Sequence, residues 1–243
     1  MPHDATHAAG WCKTTRMSRT WLMVLIPVAY LIGSIPFGLI VGMSRGVDPR
    51  KAGSGNIGAT NVGRLLGGRF FALVFTLDLL KGLVPTAIAA ALLHDKALTP
   101  TDYLLWLLVG FAAIAGHMFS VFLGFQGGKG VATSAGVLLG LFPYFTLPGL
   151  LSILTWVVLF KAKGYVSLAS MVGAGLFPVF YLAIALFRGW DPLGAQLPLL
   201  IFAAVMALLI IYKHRSNIAR LRAGTESRFG KKSESPDGAG EPG

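Results

Sequence analysis

The sequence predicts an all-α polytopic membrane protein of seven transmembrane helices, with a periplasmic N-terminus and a cytoplasmic C-terminus. Composition is the first reason: 54% of the 243 residues are hydrophobic and only 13% are charged, where soluble domains carry roughly 25% charged residues. Patterning is the second. The apolar residues gather in long runs, mean hydropathy is +0.68, and a membrane-crossing helix needs ~20 mostly apolar residues. Charge placement is the third: the formal net charge is +11, and the basic residues lie between the apolar runs and in the tail. The single cysteine, Cys12, excludes an internal disulfide and a cysteine metal cluster.

The elements follow in order. Residues 1–20 are polar and basic and read as an N-terminal extension, expected to be disordered. The apolar run after them lacks a small-residue cleavage site, so it reads as an uncleaved first helix over 21–43. Met17 opens MSRTWLMV and offers an alternative start. A polar segment, 44–66, separates this helix from a second over 67–93, which carries Asp78 and Lys81. The third covers 102–123 with His117. Residues 132–147 and 148–160 are each short for a span; Pro143 and Pro148 near their junction predict two short helices joined tightly. The sixth covers 165–187 and the seventh 198–212. The membrane domain is thus expected over 21–226, and 227–243, ending in a Gly/Pro/Ser-rich stretch, reads as a disordered tail.

Seven crossings segregate the charges. Arg45, Arg50, Lys51, Arg64, Arg69, Lys129, Lys161, Lys163 and the seven basic residues from Lys213 to Lys232 fall on one side, against Lys13, Arg16, Arg19, Lys96 and Arg188 on the other. Positive charge marks the cytoplasmic side. Merging the fourth and fifth helices would move Lys161, Lys163 and the tail across and break the bias.

Two polar motifs stand out between the apolar runs. KAGSGNIGATNVGRLL (51–66) holds four glycines, Ser54, Thr60, Asn61 and Arg64. Glycine admits close backbone approach to a ligand, and hydroxyls, amides and Arg bind oxyanions. A flexible loop whose Gly and Asn make turns is the plainer alternative. Gly127-Gly128-Lys129-Gly130, followed by Val-Ala-Thr-Ser, resembles a phosphate-cradling loop that opens a helix; alone it is equally a glycine turn with a solvated lysine. The Walker pattern is absent, because Leu123 and Gly130 stand where Gly and Ser or Thr are required.

Other features admit two readings. Asp78 and Lys81, at i and i+3, are favoured as an intramembrane ion pair that orients helices. His117 serves equally as a structural hydrogen-bonding group. Ser167 and Ser170 open the sixth helix, as a cap or as substrate contacts. In KHRSNIARLRAGTE (213–226), His214 and Asn217 are spaced to share one helical face beside the membrane. Attraction to anionic headgroups explains the basic residues there but neither of these two. Glu226 is placed to tie the tail to the basic loops.

Taken together, GSIPFG (33–38), GSGNIGATNVGRLLG (53–67), LDLLKG (77–82), GHMFSVFLGFQGGKGVATSAG (116–136), SLAS (167–170) and HRSNIARLRAGTES (214–227) resemble the bacterial acyl-phosphate:glycerol-3-phosphate acyltransferases, in order and at the expected spacing. The resemblance implies a seven-helix enzyme of the bacterial inner membrane, its active site on the cytoplasmic side. That enzyme would transfer an acyl group from acyl phosphate to glycerol 3-phosphate in phospholipid synthesis. It implies a soluble partner that supplies acyl phosphate; no cofactor is expected, and no metal site, since the few acidic residues are scattered. By position, Ser54 and Arg64 match the family's essential serine and arginine, and Gly127, Gly128, Lys129 and Gly130 its glycerol-phosphate loop. His214 and Asn217 match residues important for activity, and Glu226 one important for integrity. Thr60, Asn61 and Ser167 complete the expected substrate-binding set. Ser120 stands where a proline is usual, and Gln126 where a lysine is usual.

The chemistry expected is direct attack of the substrate 1-hydroxyl on the acyl carbonyl, without an acyl-enzyme. His214 or a phosphate oxygen would take the proton, and Ser54 and Asn217 are candidate oxyanion donors. None of His3, His7, His94, His117 or His214 has Asp five residues later, so the H-x4-D acyltransferase mechanism is disfavoured. Two other classes compete. A transporter for a phosphorylated small molecule would place its site near the midplane between inverted repeats, and no repeat is evident. A membrane scaffold leaves the polar loops unexplained. Nucleic acid is excluded as a partner, because no soluble domain remains to bind it.

Overall fold

The computed structural model describes residues 4–94 and 97–229, with side chains described from residue 18. All regular structure among these residues is helical: α1 (Asp4–Ser34), α2 (Phe37–Met43), α3 (Ala59–Leu66), α4 (Gly68–Leu92), α5 (Pro100–Met118), α6 (Val131–Gly140), α7 (Thr146–Lys163), α8 (Val166–Phe187), α9 (Leu197–Lys213) and α10 (Arg215–Arg222), with a 3-10 turn at Val121–Leu123. Five segments are long and apolar enough to cross a membrane, and α9 with α10 would make a sixth if that bent pair counts as one span. Helix α6, at 10 residues, rises only ~15 Å, half the hydrocarbon core.

Several boundaries depart from the sequence expectation. The helix expected over 21–43 is broken after Ser34, because Pro36 has no N–H to donate, and resumes as α2. The polar segment 44–66 contains α3 rather than loop alone. His214 and Asn217 belong together at the start of α10, whose N-cap is His214, and not to a continuation of the seventh helix: α9 stops at Lys213, and α10 leaves it at 56°. Backbone from Asp4 to residue 20, in the segment expected to be disordered, continues α1. At the head of the expected tail, the Ser227 carbonyl accepts from Arg64 of α3 and Phe229 packs against α4 and α7; the rest of that tail, from residue 230, lies outside the described residues.

Helix pairs meet where glycine removes the side chain. A Cβ on Gly33 would come within 2.1 Å of the Ala113 carbonyl oxygen, and one on Gly116 within 2.2 Å of that of Tyr30, so α1 and α5 nearly touch backbone to backbone. Gly82 and Gly136 do the same for α4 and α6. Small residues drive such packing because lipid gives helices no hydrophobic reason to associate. Polar bonds fix the register: Ser120 Oγ donates to the Ser34 carbonyl at 2.6 Å, and Arg19 pairs with Asp102 at 2.8 Å. Large apolar side chains such as Leu73, Leu80, Leu154 and Val179 point outward, as a hydrocarbon solvent allows.

Asp78 and Lys81 form the expected buried ion pair, Oδ1 to Nζ 2.9 Å. Lys81 also donates to the Ile35 carbonyl at 2.9 Å, where Pro36 interrupts the first span. The pair therefore ties α4 to the break between α1 and α2. His117 Nδ1 lies 3.6 Å from the same Asp78 oxygen.

Candidate functional site

The loop before α3 is built by its own side chains. Gly53 and Gly55 adopt φ of +61° and +70°, a region that glycine enters without steric cost. Buried Asn61 then locks the turn. Its Oδ1 accepts from the Ser54 backbone N–H at 2.9 Å, and its Nδ2 donates to the carbonyls of Pro49 and Ala52. Asn61 therefore shapes the loop that presents Ser54, and its polar atoms are occupied by backbone.

The second loop is held by α5. The Gly128 N–H donates to the His117 carbonyl at 3.0 Å, and a Cβ on Gly128 would meet His117 Nε2 at 2.2 Å. Gly127 packs as closely on the His117 carbonyl. Lys129 projects toward α10 and donates to Asn217 Oδ1. Asn217 Nδ2 in turn donates to Glu226 Oε1 at 2.7 Å, which also accepts from Ser167 Oγ at 2.6 Å. Arg220 pairs with the other carboxylate oxygen at 2.7 Å. Arg64 donates to the Ser227 carbonyl at 2.9 Å, while its buried Nε has no hydrogen-bond partner.

These groups line one cavity of about 100 Å³. Ser54, Thr60, Asn61, Arg64, Lys129, Gly130, Ser167, His214, Asn217 and Glu226 all contribute to its wall. Gly127 and Gly128 do not; they support the loop from behind. Sequence reasoning missed Asn56, Phe71 and Trp156, left Ser170 and His117 between structural and functional roles, and favoured a structural role for Asp78; all six line this wall. Asn56 lies within the 51–66 motif itself, but spacing along the chain could not have signalled the others, since they come from α4, α5, α7 and α8.

The cavity is also where helices begin. Ala59 and Thr60 open α3, Val131 and Ala132 open α6, Val166 and Ser167 open α8, and Asn217 lies in the first turn of α10; all line the wall. Each helix N-terminus carries roughly half a positive charge. Four of them converging with Arg64 and Lys129 make a strongly anion-seeking pocket.

Electrostatics follow from that crowding. Burial, with Arg220 and Arg64 near, pushes the Lys129 ammonium down to about 8, against the pull of Glu226. Burial likewise lowers Arg64 from its ordinary value. His214, just beyond the α9 segment, is pushed down to about 4 by burial and then by the Lys129 charge. Its Nδ1 faces the Ile210 carbonyl at 2.7 Å; with Nδ1–H as the donor, Nε2 of a neutral ring is left as an acceptor. Burial opposes ionisation of Glu226, but Ser167, Asn217 and Arg220 outweigh it and hold its carboxyl below the usual range.

A second, apolar cavity of about 370 Å³ adjoins the first. The two share Phe71, Phe75, Val131, Trp156 and Ser170, and the apolar one continues between α4, α6, α7, α8 and α9. A polar anion pocket thus opens directly into a hydrocarbon-like groove.

The chain is similar to known proteins over most of its length. The family model described as glycerol-3-phosphate acyltransferase matches residues 23–224. The glycerol-3-phosphate acyltransferase of Aquifex aeolicus is 44% identical over 209 residues, covering 85% of this chain and 98% of that protein. That of Geobacter sulfurreducens is 43% identical over 209 residues, covering 85% and 97%. The crystal structure of PlsY (YgiH), an integral membrane glycerol 3-phosphate acyltransferase in its glycerol 3-phosphate form, superposes with a TM-score of 0.73 at 41% identity, covering 86% of this chain and 96% of that one. Its lysophosphatidic acid form gives 0.72 at the same identity, covering 86% and 95%. With that match running through both loops, α8 and α10, the chain belongs to the glycerol-3-phosphate acyltransferase family of integral membrane enzymes.

Proposed function

We propose that the chain transfers an acyl group from acyl phosphate to the 1-hydroxyl of glycerol 3-phosphate, giving lysophosphatidic acid and inorganic phosphate. The observation that carries this reading is the junction of an anion pocket with an apolar groove. A substrate with a phosphorylated head and an acyl tail fits that pair of environments as one molecule. An acyl phosphate is already activated, so the protein has to hold two anions together against their repulsion and align them.

In this reading Arg64, Lys129, Thr60 and the helix N-termini bind phosphate oxygens, and Ser167 borders them. The 1-hydroxyl oxygen attacks the acyl carbonyl carbon; the new ester C–O bond forms and the bond to the phosphate oxygen breaks. Ser54 Oγ and the second N–H of Asn217 donate to the carbonyl oxyanion. His214 at about 4 is a weaker base than a phosphate oxygen, whose second ionisation lies near ~6. The proton therefore goes to phosphate, and His214 Nε2 accepts a hydrogen bond that aims the hydroxyl. Glu226 positions Ser167 and Asn217.

We place this site at the cytoplasmic face of a bacterial inner membrane, in a chain crossing seven times. Charge segregation supports that orientation. Tyr144, just after α6, touches Tyr103 at the start of α5 and Trp190 after α8, while Lys129, just before α6, meets Asn217. Those contacts support counting 131–145 as a crossing despite the shortness of α6. A soluble enzyme that delivers acyl phosphate is the partner this chemistry calls for.

The test is to incubate purified protein with glycerol 3-phosphate and, separately, palmitoyl phosphate, palmitoyl-CoA and palmitoyl-carrier protein. Lysophosphatidic acid from palmitoyl phosphate alone is the expected result. Product only from the thioesters would overturn the donor, and no product from any donor would overturn the reaction.

A further inference from the structure

The apolar groove has an inner end made of aromatic rings. Along α8 its lining runs from Ser170, shared with the polar pocket, through Gly173 and Ala174 to Phe177. That is seven residues, or ~10 Å of helix rise. Along α9 it runs back from Ile210 through Ala207 and Met206 to Phe202, a rise of ~12 Å. Both rings therefore lie at similar depth, away from the anion pocket. Between them and the pocket the wall is widened by the small residues Gly173, Ala174 and Ala207.

The rings at the end are backed rather than free. Phe145 is fully buried behind them, 4.9 Å from Phe177 and 6.1 Å from Phe202 between ring centroids, with Tyr181 5.3 Å away on another side. Moving either Phe177 or Phe202 outward would require this cluster to repack, and packed cores resist that.

We propose that Phe177 and Phe202, supported by Phe145, set the length of acyl chain the enzyme accepts by closing the inner end of the groove. The inference rests on the acyl-transfer reading above and adds to it which residues choose among donors. One methylene too many in a hydrophobic pocket costs roughly tenfold or more in specificity. A closed end converts that cost into a length limit. A chain that instead left sideways between helices into the bilayer would meet no such limit.

The experiment offers the purified enzyme glycerol 3-phosphate with an equimolar mixture of lauroyl, myristoyl, palmitoyl, stearoyl and arachidoyl phosphates. Mass spectrometry then reads the ratio of lysophosphatidic acid species. Phe202→Ala deepens the groove and is expected to raise the stearoyl-to-myristoyl product ratio about tenfold. Ala207→Phe blocks the groove midway and is expected to lower the palmitoyl-to-lauroyl ratio by about the same factor. Phe202→Leu, a milder change, shifts the profile in the direction of Phe202→Ala and covers the case in which the alanine variant does not fold. Active variants that all give the parent profile would overturn the length limit while leaving acyl transfer standing. A parent enzyme silent with every acyl phosphate would instead overturn the transfer reading itself.

Discussion

Asn217 donates to Glu226, Nδ2 to Oε1 at 2.7 Å, and this bond ties the first turn of α10 to the segment that follows it. The same carboxylate holds Ser167 of α8 and Arg220. Replacing Glu226 with Ala strands the buried Ser167 hydroxyl and Asn217 amide together. Hydrogen bonds to charged groups contribute about 1.5–3 kcal/mol each, so we expect an apparent Tm in detergent several degrees lower and turnover reduced at least about tenfold. Unchanged thermal unfolding in Glu226→Ala would show that this junction contributes little.

Arg64 lines the polar cavity, and its buried Nε has no hydrogen-bond partner. Arg64→Ala is expected to lower kcat/KM for glycerol 3-phosphate by about 10²-fold or more, the usual scale for removing a charged donor aimed at a reacting anion. Arg64→Lys keeps charge without the planar fork and should recover only part of the loss. Steady-state kinetics with palmitoyl phosphate checks both, and full turnover by the alanine variant would remove Arg64 from the site.

The pH profile has a defined sign. Lys129 ionises at about 8 in the protein, so its positive charge is present below that value and lost as pH rises through it. The kcat/KM profile, which reports the free enzyme, should fall on the alkaline side near pH 8. Lys129→Arg should move that limb upward. His214, at about 4, stays neutral across the working range, so no acid limb near the ordinary histidine value is expected from it. An alkaline limb unmoved in Lys129→Arg would assign the titration to another group.

Gly128 has no room for a side chain, because a Cβ there would lie 2.2 Å from His117 Nε2. Gly128→Ala must displace the loop that carries Lys129 or the ring beneath it. Overpacking of this kind costs about 1–3 kcal/mol, and we expect KM for glycerol 3-phosphate to rise several-fold or more. A paired His117→Ala substitution makes space and should restore part of the affinity; a Gly128→Ala enzyme with parental KM would show that the loop tolerates the shift.

Much of the fold was legible in the chain because a membrane imposes one rule on every crossing segment: apolar side chains outside and backbone bonds satisfied within. That rule placed α4, α8 and α9 to within a residue or two. It could not locate the break at Ser34, where Pro36 withdraws a donor and Lys81 from another helix caps the Ile35 carbonyl. Nor could it foresee α3, whose eight residues lie in a segment too polar to read as a span. The residues of the polar cavity were nearly all visible in the motifs, since so many donors beside apolar runs have no use in a plain connector. Asn61 was among them for the wrong reason, as its amide turned inward to the loop backbone.

What the chain determined by itself was the inventory: an all-helical membrane protein and the polar residue types that collect anions. Only the tertiary structure decided the assembly. Convergence of four helix N-termini is a property of how α3, α6, α8 and α10 are packed, and no local pattern encodes it. The 56° turn at His214 sets the direction of α10, and with it which wall that ring and Asn217 share. The groove beside them exists because Gly173, Ala174 and Ala207 from two helices face the same space, and a space between helices appears only when they pack.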